Sequence, residues 1–225
     1  MSVDARAITL DLDPVHLVVP REAWTLAGFR RWTKSEDFPE RVRASWIEGE
    51  VLLDMSPEPI DTHNSVKTEI TAVLHAIARD EQLGEVYSDG VLYTHEEAGV
   101  STEPDVVYVS FESIERSRVR FEPKANRPDD RLELQGTPDL VVEVVSDSSQ
   151  RKDETLLRTA YARASVPEYW LVDARGETLR FVILSLQGEE YEPAARSRVL
   201  DRVFRLDRTL NRVGRWNYRL HVLPE

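Results

Sequence analysis

Two acidic residues stand in segments whose other residues predict buried strands. Glu143 interrupts DLVVEVV (139–145), and its neighbours follow the pattern of a strand buried on both faces. Asp105 opens a second apolar run, DVVYVS (105–110). A lone ionised carboxylate in an apolar layer is costly, so each must be paired, protonated or bound to a metal. If the two strands are neighbours, the carboxylates converge and could hold one or two divalent cations.

Simpler roles are open for the same residues. Asp105 and Asp139 both follow a proline at a strand start, where a carboxylate can accept hydrogen bonds from backbone N–H groups. Asp139 and Glu143 share one face of their strand because strand side chains alternate. Glu143 could instead form a buried pair with an arginine or a lysine.

The composition limits the chemistry. The 225 residues include no cysteine, so any metal would be held by Asp, Glu, His or backbone oxygen, which favours Mg²⁺ or Mn²⁺. The sequence has no run of about 18 apolar residues, so no membrane span is predicted. Its acidic N-terminus lacks the basic start and apolar middle of a signal peptide. We therefore expect a cytoplasmic protein.

The charge is distributed unevenly. The net charge is −12, with −13 in residues 1–112 and +1 in the rest. The segment 196–219 holds eight arginines against Asp201 and Asp207. Such a basic strip could contact phosphates, although the charge pattern alone favours a solvated face of an antiparallel sheet.

The pattern of elements predicts an α/β fold. Residues 61–82 have a helical apolar stripe, and 139–173 read as strand, helix and strand, which predicts a parallel pair. A helix over 21–34 and a strand or bent hairpin over 85–95 are also predicted. Hairpins are expected on either side of the parallel pair, so the sheet should be mixed. The aromatic residues Tyr161, Tyr169 and Trp170 are expected in the core.

Three motifs resemble a known family. They are Pro104-Asp105-Val-Val, PDLVVEVVSDSS from Pro138, and RKD followed by a helix that ends in AYARASVPEYWLVD. Together they resemble the Uma-two family of restriction endonucleases, within the PD-(D/E)XK nuclease superfamily. The resemblance covers about residues 40–185 and leaves a C-terminal β extension, 186–225, in a single domain 1–225. It implies a restriction-endonuclease-like mixed sheet flanked by helices, with additional antiparallel hairpins at both ends.

The resemblance also implies roles for particular residues. The matching metal ligands are Asp105 and Glu143. In this family a lysine lies on the following helix, four residues after an aspartate, but here that position is Leu157. Lys152 is the nearest substitute in sequence and Lys67 the second choice, while Arg158 should point away from Leu157 on the helix. In related folds the first helix supplies a carboxylate, for which Glu69 is the candidate. His63 precedes it and could join the site or only bond locally.

These observations predict a Mg²⁺- or Mn²⁺-dependent DNA endonuclease with Asp105, Glu143 and Lys152 as its catalytic residues. The main alternative is a binding or regulatory module that keeps the nuclease fold without turnover, which Leu157 and the net charge favour. A glycosidase that uses two carboxylates is a distant third. DNA is the expected partner, and a homodimer is left open.

Overall fold

In a computed structural model, the chain is described at residues 8–12, 15–39, 42–124 and 127–224. The strands are β1 (Ile8–Leu12), β2 (Val15–Val19), β3 (Arg43–Ile47), β4 (Glu50–Asp54), β5 (Gly84–Ser88), β6 (Leu92–His95), β7 (Val100–Thr102), β8 (Val106–Ser110), β9 (Val119–Lys124), β10 (Arg127–Gly136), β11 (Leu140–Val144), β12 (Glu168–Asp173), β13 (Arg180–Gln187), β14 (Glu190–Ala194), β15 (Val203–Leu210) and β16 (Trp216–Leu223). The α-helices are α1 (Leu26–Thr33), α2 (Ser65–Asp80), α3 (Phe111–Glu115) and α4 (Arg158–Arg163). A 3₁₀ turn (Arg21–Trp24) precedes α1, and π-helical turns lead into α2 (Ile60–Asn64) and α4 (Lys152–Leu157). Among these residues, no helix is long and apolar enough to cross a membrane.

A six-stranded central sheet contains the Glu143 strand. Its strand order is β14-β13-β12-β11-β8-β5. Strands β11 and β12 are parallel and are joined through α4, as predicted, whereas the other neighbours are antiparallel. All five residues of β11 are buried, because this strand is covered on both faces. The mixed α/β class is confirmed.

One face of the central sheet shares a core with a second six-stranded sheet, ordered β4-β3-β7-β6-β10-β9. Tyr93 and Leu134 come from the second sheet, Val107 and Val141 from the central sheet, and Tyr161 from α4. Within the second sheet β10 runs parallel to β6, and the other neighbours are antiparallel. The helix α4 therefore packs directly over the Glu143 side of β11.

The opposite face of the central sheet is covered by α2 and by a C-terminal hairpin. Ile70 and Leu74 of α2 share a core cluster with Val142, Trp170 and Phe204. The hairpin pairs β15 with β16, and an N-terminal hairpin pairs β1 with β2. The predicted hairpins at the two ends are thus present. Tyr161, Tyr169 and Trp170 are fully buried, as predicted.

Two local predictions were wrong. The helix expected over 21–34 is divided, because Thr25 is extended and its side-chain oxygen accepts a hydrogen bond from Gly28 N at 3.1 Å, which starts α1 afresh. The segment 85–95 is not a hairpin, since β5 belongs to the central sheet and β6 to the second sheet. Asp89 and Gly90, with φ values of 54° and 64°, form the turn between them.

The arginine strip is largely engaged within the molecule. Arg202 and Arg215 form ion pairs with acidic residues from the first half of the chain. Arg208 donates to three backbone carbonyls and lies 4.3 Å from the centroid of the Trp216 ring. These contacts favour the structural explanation of the strip over phosphate binding.

Candidate functional site

Asp105 and Glu143 lie on neighbouring antiparallel segments. Val142 of β11 pairs with Val106 of β8. Because the two strands are antiparallel, the residue after Val142, Glu143, lies opposite the residue before Val106, Asp105. Residues directly opposite in an antiparallel pair point to the same face. The arrangement expected from the two acidic strands is therefore present.

A cavity of about 240 Å³ opens at this end of the central sheet, and we call it the acidic pocket. Its walls come from β3, β4, the turn before α2, the start of β8, the end of β11 and the segment 146–153. Its lining includes five carboxylates and four basic side chains. The carboxylates are Asp54, Glu103, Asp105, Glu143 and Asp153, and the basic side chains are Arg43, His63, Arg151 and Lys152.

Asp105 is held by a network on one side of the acidic pocket. Its Oδ2 accepts a hydrogen bond from Val144 N at 2.7 Å and lies 3.4 Å from His63 Nε2. His63 Nδ1 lies 3.4 Å from Glu58 Oε2, which also accepts from Lys67 Nζ at 2.7 Å. Burial opposes a charged His63, but Asp105 and Glu58 outweigh it and raise the pKa of His63 to about 9. His63 is therefore charged at neutral pH and compensates both carboxylates.

Glu143 and Asp153 are the poorly compensated carboxylates. Burial raises the pKa of Glu143 well above its ordinary value despite the charge of Lys152, and Asp153 and Asp105 raise it further. Burial also raises the pKa of Asp153 to about 6. Asp153 Oδ2 accepts a hydrogen bond from Ser149 Oγ, whereas its buried Oδ1 has no hydrogen-bond partner. Both groups would gain from a cation in the acidic pocket.

The structure separates the lysine candidates. Lys152 lines the acidic pocket, where its Nζ lies 3.4 Å from Asp153 Oδ1. Burial opposes its charge, but Glu143 and Asp153 raise its pKa above the ordinary value. Lys67 Nζ lies 3.8 Å from Asp105 Oδ1 but is bound between Glu58 and Asp89. Leu157 is fully buried in the core, and its side chain does not line the pocket.

Two other sequence candidates lie outside the acidic pocket. Asp139 accepts hydrogen bonds from Ser110 N at 2.7 Å and Ser113 Oγ at 2.8 Å, which is the structural role that had been left open for it. Glu69 accepts a hydrogen bond from Leu220 N at 2.9 Å and faces the C-terminal hairpin. Whether Glu69 or His63 joins the site is open in the sequence; in the structure His63 lines the acidic pocket and Glu69 does not.

Sequence reasoning missed Glu58 and Asp153. Glu58 lies between two prolines in a segment without regular periodicity, so no local pattern marks it. Asp153 had been assigned to the start of a helix, where an acidic residue usually complements the helix dipole. The available signals were its place beside Lys152 and its position four residues before Leu157, and neither signal reveals burial.

The donor groups fit a hard divalent cation. Among the described residues, one group of three has its ligand atoms within 4.8 Å of one another, namely Glu58, His63 and Asp105. A charged His63 and Lys67 already compensate that group. Glu143 and Asp153, on the pocket side of Asp105, are raised in pKa by burial and interact with Asp105. Carboxylate oxygens of this kind are what Mg²⁺ and Mn²⁺ prefer.

Comparisons with known proteins agree with this fold. Residues 26–211 match the profile of the Uma2 family, which is described as "Putative restriction endonuclease". A crystal structure from Anabaena variabilis, titled a "putative nuclease belonging to DUF820", matches with a TM-score of 0.55 at 18% identity, covering 75% of this chain and 83% of that one. At that identity the similarity shows the fold alone. No curated protein matches the sequence.

Proposed function

Because this chain belongs to the Uma2 family, we propose that it is a divalent-metal-dependent phosphodiesterase that cleaves DNA. One observation carries the proposal: Asp105, Glu143 and Lys152, from three separate segments, line one cavity. A buried cluster of carboxylates with a lysine beside it is a poor arrangement for stability, since neighbouring buried charges repel and lose hydration. Such clusters are common where the charges serve chemistry.

Asp105 and Glu143 would hold Mg²⁺ or Mn²⁺. When bound, such a cation would supply Lewis-acid stabilisation of the charge that builds up on phosphoryl oxygens. Val144 N anchors Asp105 through one oxygen, and Tyr161 OH anchors Glu143 in the same way at 2.6 Å. Each carboxylate is thus oriented by the fold through one oxygen, and the second oxygen of Glu143 would be available to the cation.

Lys152 would hold the phosphate rather than abstract a proton. The carboxylates of Glu143 and Asp153 beside it favour its charged form. A fixed positive charge stabilises the negative charge that develops in the transition state, whereas a base must be neutral before it reacts.

A cleavage assay on plasmid DNA with Mg²⁺ or Mn²⁺ tests the proposal. We expect wild-type protein to nick or linearise the plasmid, and Lys152→Ala to reduce the rate by about 100-fold or more. Lys67→Ala tests whether Lys67, the second candidate for this role, is needed for cleavage. Lys124→Ala is the matched control, since Lys124 lies at the end of β9 and outside the acidic pocket. A Lys152→Ala rate equal to wild type would remove Lys152 from the mechanism.

A second candidate is a binding module that has lost turnover. The observation that favours it is Leu157, whose burial in the core fills the position of the family lysine with an apolar side chain. In that case the protein would bind DNA saturably and cleave none with either metal. Fluorescence anisotropy in the same mixture as the cleavage assay separates the binding module from the nuclease, because only the binding module would show saturable DNA binding without cleavage.

A further inference from the structure

The Glu143 carboxylate has one hydrogen-bond donor in the core. Tyr161 OH donates to Glu143 Oε1 at 2.6 Å, and both side chains are fully buried. We propose that Tyr161 is a positioning residue, whose hydroxyl fixes the Glu143 carboxylate so that its second oxygen is presented to a divalent cation in the acidic pocket. This inference rests on the proposed function and names a residue that acts through Glu143.

Tyr161 can act in this way because its own ring is immobilised. Its centroid lies 6.0 Å from that of Tyr93 and 5.3 Å from that of Tyr169. Tyr169 OH in turn donates to the backbone carbonyl of Asp153 at 2.9 Å, which ties the same stack to the other wall of the pocket. A donor on a rigid ring restricts a flexible glutamate more than a donor on a mobile side chain would.

A hydrogen-bond donor to one carboxylate oxygen is also present at two of the other four pocket carboxylates, Asp105 and Asp153. Asp105 is anchored through Oδ2 by Val144 N, and Asp153 is anchored through Oδ2 by Ser149 Oγ. In all three cases the fold supplies a donor to one oxygen, while the other oxygen of Asp105 lies 3.8 Å from Lys67 Nζ and that of Asp153 lies 3.4 Å from Lys152 Nζ. A repeated pattern of one anchored oxygen is what ligand orientation requires.

Simple satisfaction of a buried hydroxyl is the competing explanation. The neighbouring Tyr93 is equally buried, yet its hydroxyl has no hydrogen-bond partner among the described residues. A buried tyrosine hydroxyl in this stack is therefore not always matched by a protein acceptor. Tyr93 also provides a matched control, because Tyr93→Phe removes a hydroxyl from the same stack without touching Glu143.

Titration calorimetry with MnCl₂ on the full chain tests the inference. We expect Tyr161→Phe to weaken Mn²⁺ binding by about 10- to 100-fold, the range for partners that orient a metal ligand. Tyr93→Phe should bind within about twofold of wild type. In the plasmid assay the Mn²⁺ concentration for half-maximal cleavage should rise for Tyr161→Phe alone, a change that a loss of packing shared by both variants would not produce.

The outcomes separate this inference from the proposed function. If wild type binds Mn²⁺, Glu143→Gln does not, and Tyr161→Phe binds like wild type, the positioning role is overturned and the metal role of Glu143 stands. If wild type shows no Glu143-dependent binding, both fail. Should Tyr161→Phe not fold, Glu143→Asp withdraws the carboxylate from the hydroxyl by one methylene, and wild-type affinity in that variant would overturn the inference.

Discussion

Glu143 is the residue at which fold and chemistry conflict. It is 2% exposed, and its burial favours the neutral form, with Asp153 and Asp105 acting in the same direction. A metal would relieve that conflict by compensating the charge. The local prediction is therefore that this carboxylate matters more for ligand binding than for stability.

We predict that Glu143→Gln is as stable as wild type, or more stable, in the presence of EDTA. The amide has no charge to bury, and it keeps an oxygen that can accept from Tyr161. Mn²⁺ should raise the Tm of wild type and leave that of the variant unchanged, because a ligand stabilises only the state that binds it. Thermal unfolding with and without MnCl₂ measures both effects.

The matched control is Glu168→Gln. Glu168 is a buried carboxylate on the adjacent strand β12, where it accepts from Trp170 Nε1 at 2.6 Å, and it does not line the acidic pocket. The Glu168→Gln variant should keep the rise in Tm that Mn²⁺ causes.

Because the pKa of Glu143 is raised in the folded state, wild type without metal should lose stability relative to Glu143→Gln as the pH rises above the ordinary glutamate pKa. An Mn²⁺ shift retained in Glu143→Gln would contradict the assignment.

At the scale of elements, α1 is joined to the second sheet by an ion cluster. Glu133 of β10 has a fully buried carboxylate, which accepts from Arg30 Nε at 2.7 Å, Arg30 Nη2 at 2.9 Å and Lys34 Nζ at 2.9 Å. Burial opposes ionisation of Glu133, but these donors outweigh it and hold its pKa well below the usual value. The cluster joins α1 to this sheet in addition to the apolar contacts that Phe29 and Trp32 make in the core cluster with Ala44 of β3.

We predict that Arg30→Met destabilises the protein by about 3 kcal/mol at pH 7, because it leaves a buried carboxylate without its bidentate partner. A carboxyl group whose pKa is lowered by folding stabilises the folded state at pH values above its pKa in the unfolded chain. That stabilisation is lost as the pH falls below this unfolded-state pKa. The difference between Arg30→Met and wild type should therefore shrink below about pH 4. Urea unfolding at both pH values measures it.

Arg31→Met is the control for this cluster. Arg31 is the next residue of α1, but it is exposed and should cost little when replaced. An equal loss of stability for Arg30→Met at pH 7 and at acid pH would show that packing of the arginine side chain, and not its charge, joins the helix to the sheet.

At the scale of the whole molecule, the C-terminal hairpin is part of the core. Phe204 of β15 is 6% exposed, and its ring centroid lies 4.8 Å from that of Trp170 in β12. Leu206, Tyr218 and Leu220 belong to the same cluster as α2. The hairpin thus closes one face of the sheet that carries Glu143.

We predict that Phe204→Ala lowers the free energy of unfolding by about 3–5 kcal/mol, through lost burial and the cavity left behind. Val222→Ala on the paired strand is the control, since Val222 is 42% exposed and should change stability by less than about 0.5 kcal/mol. Chemical denaturation compares the two. A small effect of Phe204→Ala would mean that the hairpin is an appendage and not a layer of the core.

The sequence by itself determined strands β8, β11 and β12 of the central sheet, the parallel unit around α4 and the two acidic residues. Each depends on a local pattern: continuous apolar runs for buried strands, alternation for the shared face, and a charge set in an apolar segment for Glu143. The family resemblance then joined Asp105 and Glu143 to one site.

Only the tertiary structure decided what surrounds that pair. The position of Lys67, bound between Glu58 and Asp89, depends on how α2 packs across the strand ends. The roles of Asp153 and Tyr161 depend on burial by α4 and the second sheet, whose strands come from distant parts of the chain. A local pattern sets the direction of a side chain from its own backbone, whereas its partners and its pKa depend on contacts between elements far apart in sequence.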